Sequence, residues 1–236
     1  MTSLAMRCML ATVVCAMAGG VAAQTASYTN MLNTIQMQNQ SWNTQLNAYN
    51  RQFGSAAHSA MQSGLPSSPQ GGAAGARQPA ALPQYPITAT DFYSQPGRIV
   101  PEKLANGAPN LTPEQRQALT AEYYEFLSDF EKNNRKNNMA AALTYAVRAS
   151  LLSVYGKELT QPEINQMGWN FNSVLAMTPE FIVMPPVEKQ VMYENLILTG
   201  ATIVFLQNKA AEEHNVVMHG QAKQLAQSLL KQWLNI

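Results

Sequence analysis

Residues 111–131 read LTPEQRQALTAEYYEFLSDFE. The stretch opens with a written helix start: Thr112 as N-cap, Pro113 at the first helical position, where its missing N–H costs nothing, and Gln115 three residues after the cap to close a capping box. Behind it, Leu119, Tyr123, Phe126 and Phe130 recur at helical spacing, while Glu122, Glu125, Asp129 and Glu131 fill the intervening positions. Apolar residues spaced in this way share one face of a helix and would be scattered over both faces of a strand. The stretch therefore commits this part of the chain to helix.

The same reading extends forward. Asn133 to Asn138 is a polar, turn-prone break, after which Met139, Leu143, Val147, Leu151 and Val154 mark a second helix that Gly156 can end. So short a turn predicts an antiparallel helical hairpin. A second capping box, Thr160 with Glu163, starts a third helix carrying Ile164, Met167, Phe171 and Val174. Thr178-Pro179-Glu180 and Pro185-Pro186 predict a bent connection. Leu196–Leu206 is almost uninterruptedly apolar and marks a central helix from about Val187, in which Gly200 points to a close crossing with a neighbour. Met218, Ala222, Leu225, Leu229 and Trp233 line one face of a last helix, about Val216 to Leu234. No convincing strand appears. The fold class expected is all-α, a compact bundle of about five helices.

Working backward, residues 91–108 contain Pro96, Gly97, Pro101 and Gly107, which predicts an extended lead-in arm packed through Phe92, Tyr93, Ile99, Val100 and Leu104. Residues 91–236 then form the helical domain, long enough to bury a proper core. Three motifs in it are suggestive: Arg98-x-x-Pro101-Glu102-Lys103-Leu104, Leu111-Thr112-Pro113-Glu114-Gln115-Arg116, and Lys136-Asn137-Asn138 before an Ala-rich helix. In these the chain resembles an uncharacterised family of exported bacterial proteins, a DUF6683-like domain of unknown function, over about residues 91–236. The resemblance implies bacterial origin, export and an α-helical domain, and carries over no catalytic residue.

Residues 54–90 string Gly and Pro among Ala, Ser and Gln, which reads as a flexible linker, with His58 a solvated residue in it. Residues 24–53 differ again. Tyr28, Leu32, Ile35, Trp42, Leu46, Tyr49 and Phe53 keep a heptad register whose missing step is Asn39, so a helix would gather all eight on one narrow stripe. A polar Asn on such a seam can specify oligomer state. Self-association or capture of a protein partner is the favoured use of this amphipathic, coiled-coil-like helix. Docking on the chain's own domain and disorder of the Gln/Asn-rich segment are the alternatives.

Residues 1–23 have one cation, Arg7, then an apolar run from Met9 to Met17, shorter than the roughly 20 residues a membrane span needs. Val21 and Ala23 supply the small residues of a cleavage site, so the segment reads as a secretory signal peptide cut after Ala23. The mature chain is expected in the periplasm or outside the cell. Both cysteines, Cys8 and Cys15, fall in the leader, so no disulfide, Cys metal site or thiol nucleophile is expected beyond it.

Charge narrows the partners. Among 236 residues only 12% are charged, with Lys plus Arg 15 against Asp plus Glu 14, too balanced to favour nucleic acid or an anionic membrane. No membrane span is expected in the mature chain. His214 and His219 sit about 140° apart on a helix and cannot grip one metal together, and Glu212-Glu213-His214 lacks the order of a zinc-protease motif. Glu122, Glu125 and Asp129 read as a solvated face, Arg135 and Lys136 as part of a polar turn, and Met167, Met177, Met184, Met192 and Met218 as adaptable core. No phosphate loop, dinucleotide fingerprint or nucleophile elbow is present, so no catalytic, metal or cofactor residue is assigned and no cofactor is expected. The function expected is therefore a non-enzymatic interaction or assembly protein. The alternatives are an exported hydrolase whose carboxylates meet only in the tertiary structure, and an effector or immunity-type partner protein.

Overall fold

The computed structural model describes residues 85–108 and 111–234. The expected association stripe from Tyr28 to Phe53, the expected leader and residues 54–84 of the expected linker lie outside the described residues. Among the described residues there are seven α-helices and no strand: α1 (Val100–Gly107), α2 (Pro113–Asn133), α3 (Met139–Tyr155), α4 (Gln161–Met177), α5 (Pro179–Val183), α6 (Pro186–Glu212) and α7 (Val216–Leu234). A 3-10 turn, Ile87–Thr90, precedes them. The all-α bundle is as the periodicity requires, and the five longer helices fall where the caps and apolar steps put them.

Both capping boxes form. The Gln115 N–H donates to Thr112 Oγ1 (3.3 Å) and the Thr112 N–H to Gln115 Oε1 (2.9 Å). The Thr160 N–H donates to Glu163 Oε2 (2.8 Å), and the Glu163 N–H returns to Thr160 Oγ1 (3.5 Å). Gly156, at φ 64°, ends α3 in the left-handed conformation that glycine adopts without steric cost.

The two short helices correct the sequence expectation. The arm is not extended throughout, because residues 100–107 coil into α1. Pro101 sits in its first turn, where no intrahelical donor is required, and the freed N–H groups of Ile99 and Val100 both find the carboxylate of Glu194. Similarly, Pro179 opens α5 inside what reads as a bent connection. Within the arm Phe92, Val100 and Leu104 are buried, whereas Tyr93 stands exposed.

A further correction concerns the hairpin. α2 does not lie along α3. It packs on α1 and α6, and meets α3 where Phe130 reaches Tyr145, with ring centroids 5.2 Å apart. The reason lies in α3 itself. Ala140, Ala142, Ala146 and Ala149 make it thin, and Met139, Leu143, Val147 and Leu151 bury it on several sides, so it serves as the inner helix with α6, α7 and α4 around it. Tyr193 of α6 meets Asn137, and Gly200 meets Tyr145 and Ala146, so contacts advance together along α6 and α3. α7 returns along both. Leu196, Ile197, Leu198, Ile203, Phe205 and Leu206 are buried, which makes Leu196–Leu206 central as expected. No described helix is long and apolar enough to cross a membrane.

Candidate functional site

Two features of the domain hold chemistry: a buried polar ladder that fastens the arm, and a groove beside it. The ladder begins on α6, where Gln190 and Glu194, four residues apart, share one face and are both buried. Gln190 Oε1 accepts the Gln95 N–H (2.7 Å), and Gln190 Nε2 donates to Gly97 O (2.9 Å) and to Glu194 Oε1 (2.9 Å). Glu194 Oε2 accepts the N–H groups of Ile99 (2.9 Å) and Val100 (2.8 Å). An anion at these first amides is also favoured by the helix dipole.

Next to the ladder, Arg98 forks onto Glu131 with two hydrogen bonds of 2.8 and 2.7 Å. The Tyr193 hydroxyl donates to the same carboxylate (3.2 Å) and accepts the Asn137 N–H (3.2 Å), and Lys136 Nζ lies 3.6 Å away. Burial alone would raise the Glu131 carboxyl, but the Arg98 hydrogen bonds and the charges of Arg98 and Lys136 outweigh it and hold it below the usual range. Burial and the neighbouring Glu131 push the Tyr193 hydroxyl well up.

A third anchor holds residues 85–91. Asn138, fully buried, accepts the Ala141 N–H as the cap of α3 (2.9 Å) and donates to Ile87 O and Asp91 Oδ1, both at 2.8 Å. Asn172, equally buried, donates to Pro86 O (2.9 Å) and Tyr85 O (3.3 Å) and accepts from Thr90 Oγ1 (3.0 Å). The domain thus reaches back at least to Tyr85, and the boundary expected at 90/91 falls inside it. Sequence reasoning missed this because Tyr85, Pro86 and Ile87 show no periodic spacing that ties them to the domain: buried amides hold their backbone, and those amides lie far away in sequence. Arg135 pairs with Asp91 at 2.5 Å, and its hydrogen bonds hold the Asp91 carboxyl below its ordinary value. The turn bearing Arg135 and Lys136 is a clasp built from their ion pairs.

The groove, about 410 Å³, opens between α3 and α4 beside this anchor. Tyr145 and Arg148 come from α3, Gln161, Ile164, Asn165, Gly168 and Trp169 from α4, and Ile87, Asn134 and Arg135 close one end. Burial pushes the Tyr145 hydroxyl up to about 12, with Arg148 opposing and Asp129 adding to the shift. A second, more open cavity of about 510 Å³ lies between α1 and α2, lined by Glu102, Asn106, Arg116 and Tyr124 among others.

The sequence profile of a family of unknown function matches residues 4–236. The chain belongs to DUF6683, a family of unknown function. The match runs well beyond residues 91–236, so the DUF6683 sequence includes the stripe and linker that the resemblance was expected to leave out. No curated protein and no solved structure matches the chain. The three motifs that carried the resemblance take structural roles in the DUF6683 domain: Arg98 in the fork to Glu131, Thr112 and Gln115 in the capping box, and Asn138 in the clasp.

The remaining candidates are placed as follows. His214 sits at φ 51° in the turn between α6 and α7, and His219 lies in α7. Among the described residues no three His, Cys, Asp or Glu side chains gather as metal ligands. Glu122 is not fully solvated, as its helix face suggested: it is half-buried, and burial together with Glu125 pushes its carboxyl up to about 7. Glu122 lines neither the groove nor the second cavity.

Proposed function

We propose that this DUF6683 protein is an exported, non-enzymatic interaction or assembly module. In this reading the helical domain is a rigid head, and the stripe Tyr28, Leu32, Ile35, Asn39, Trp42, Leu46, Tyr49 and Phe53, carried on the linker, associates with a second copy or with a protein partner. The observation that supports it is the anchoring of residues 85–91 by Asn138 and Asn172, two buried side chains spent on holding the backbone where the linker meets the domain. A domain that fixes the root of a tether gives the tether a defined exit, which is useful when the segment beyond it has to reach a partner. The leader-like composition of residues 1–23 supports export.

The test is light scattering on the chain beginning at Gln24, beside a variant carrying Leu32→Asp and Leu46→Asp. A dimer or larger species that the double substitution reduces to monomer, with helicity retained, is the expected result. A monomer in both cases removes self-association through the stripe. Secretion is read separately, from the N-terminal residue of protein recovered from the periplasm or medium of a bacterial host, where Gln24 is expected.

A further inference from the structure

The groove between α3 and α4 has a composition that the assembly reading does not use. Its lining contains no carboxylate. Arg135 is already neutralised by Asp91, but Arg148 is exposed and has no ion-pair partner among the described residues. The acid that Tyr145 senses, Asp129, is itself paired with Lys132 at 2.8 Å. A guanidinium without an ion pair on a groove wall is free to take one anionic group, and its planar fork matches a carboxylate in particular.

The other groups set the rest of the ligand. Trp169 is 43% exposed on the wall beside Gly168, so part of its indole is open to a stacking partner. Gln161 Nε2 donates to Asn165 Oδ1 (2.8 Å), leaving Gln161 Oε1 as an acceptor and Asn165 Nδ2 as a donor without partners among the described residues. Asn134 similarly spends its Nδ2 on Phe130 O (2.9 Å) and keeps its Oδ1. Acceptors and a donor lining one groove suit hydroxyl groups, which can serve either, better than a purely aromatic or aliphatic acid. The walls are helices whose backbone groups are mutually satisfied, so an extended peptide has no edge to pair with. The volume lies at the small end of the range for small-molecule sites.

We infer that this groove binds a carboxylate-bearing sugar, with Arg148 taking the carboxylate, Trp169 stacking on the ring, and Gln161, Asn165 and Asn134 meeting the hydroxyls. The experiment is isothermal titration calorimetry on the whole chain from Gln24. The probes are glucuronate, galacturonate and N-acetylmuramate, each beside its neutral counterpart (glucose, galactose or N-acetylglucosamine), with benzoate as a ring acid lacking hydroxyls. Binding of at least one sugar acid, weakened about tenfold or more in Arg148→Gln and in Trp169→Ala, is expected, and its neutral counterpart should bind about tenfold more weakly. Both substitutions lie at exposed positions, and circular dichroism checks that the helices persist. No heat from any sugar acid up to about 20 mM, equal binding of acid and neutral sugar, unchanged affinity in Arg148→Gln, or tighter binding of benzoate would each overturn the assignment. The outcome is independent of the oligomeric state, so a failed stripe and a failed groove are told apart.

Discussion

Glu194, in the first third of the central helix α6, caps the start of α1: its Oε2 accepts the Val100 N–H at 2.8 Å across 94 residues of sequence. The carboxylate is buried and fully engaged by Ile99, Val100 and Gln190. Replacing Glu194 with Ala strips two helix-start amides and Gln190 of their partner, a loss on the order of 2–4 kcal/mol. Glu194→Gln keeps one acceptor oxygen and should cost roughly half as much. Urea denaturation of the two variants checks this. Equal midpoints for Glu194→Ala and the wild type would show that α1 is held by the burial of Val100 and Leu104 alone.

Gly200 and Gly168 should respond oppositely to alanine. A Cβ on Gly200 would sit 2.8 Å from Tyr145 Cε1 and 3.1 Å from Ala146 Cα, and the second of these is backbone that cannot step aside. Gly200→Ala should therefore destabilise by about 1–3 kcal/mol, as overpacking does, and should disturb Tyr145 on the groove wall. At Gly168 the nearest atom is Thr144 Oγ1 at 3.5 Å, an ordinary contact, so Gly168→Ala should gain up to about 1 kcal/mol from helix propensity. Thermal melts of the two variants should move in opposite directions.

Gly200 also marks what was legible in the sequence. Gly200 announced a close crossing because a glycine in an apolar helical run needs a reason, and the five long helices were legible from caps and spacing, which are local. The ladder was not. Gln190 and Glu194 look like ordinary helix polar residues until the arm lies across them, and Asn138 and Asn172 act on carbonyls that only tertiary folding delivers. The groove escaped for the same reason, since Arg148 and Trp169 belong to different helices whose pairing no periodicity reveals. α1 was misread because Pro101 and Gly97 are local breaker signals, while the acceptor that lets the helix start there lies on α6.

Glu122 makes stability depend on pH. Its folded carboxyl is raised from 4.5 to about 7, chiefly by burial and then by Glu125. The native state therefore holds a proton that the unfolded chain has lost between those values, and stability falls as pH rises through that window. Discounted for partial solvent access, the contribution is on the order of 1–2 kcal/mol. Glu122→Gln should melt with the wild type near pH 4.5 and above it at pH 8. A constant difference across that range would mean that the substitution acts through packing and not through the proton.

Asn172 should control the root of the tether without holding the bundle together. Its amide donates to Pro86 O and Tyr85 O, and its Oδ1 accepts from Thr90. Thr90 is buried along with it, so Asn172→Ala opens a small void, takes the acceptor from the Thr90 hydroxyl proton and the amide donor from Tyr85 O, and leaves Pro86 O with the Ala89 N–H alone. The expected global cost is about 1–3 kcal/mol, but the effect should be local first, because residues 85–91 contribute little apolar burial apart from these bonds. Amide hydrogen exchange should speed up at Ala89, Asp91 and Phe92, whose N–H groups donate to Pro86, Thr88 and Asn137, while the amides of α3 and α6 stay slow. If exchange rises equally in α3 and α6, then Asn172 belongs to the cooperative core, and the tether root is not a separately opening unit. If it rises only at the root, the assembly reading predicts a further consequence: the stripe still associates, but the heads lose their fixed orientation relative to it, so the oligomer keeps its mass and increases its hydrodynamic radius.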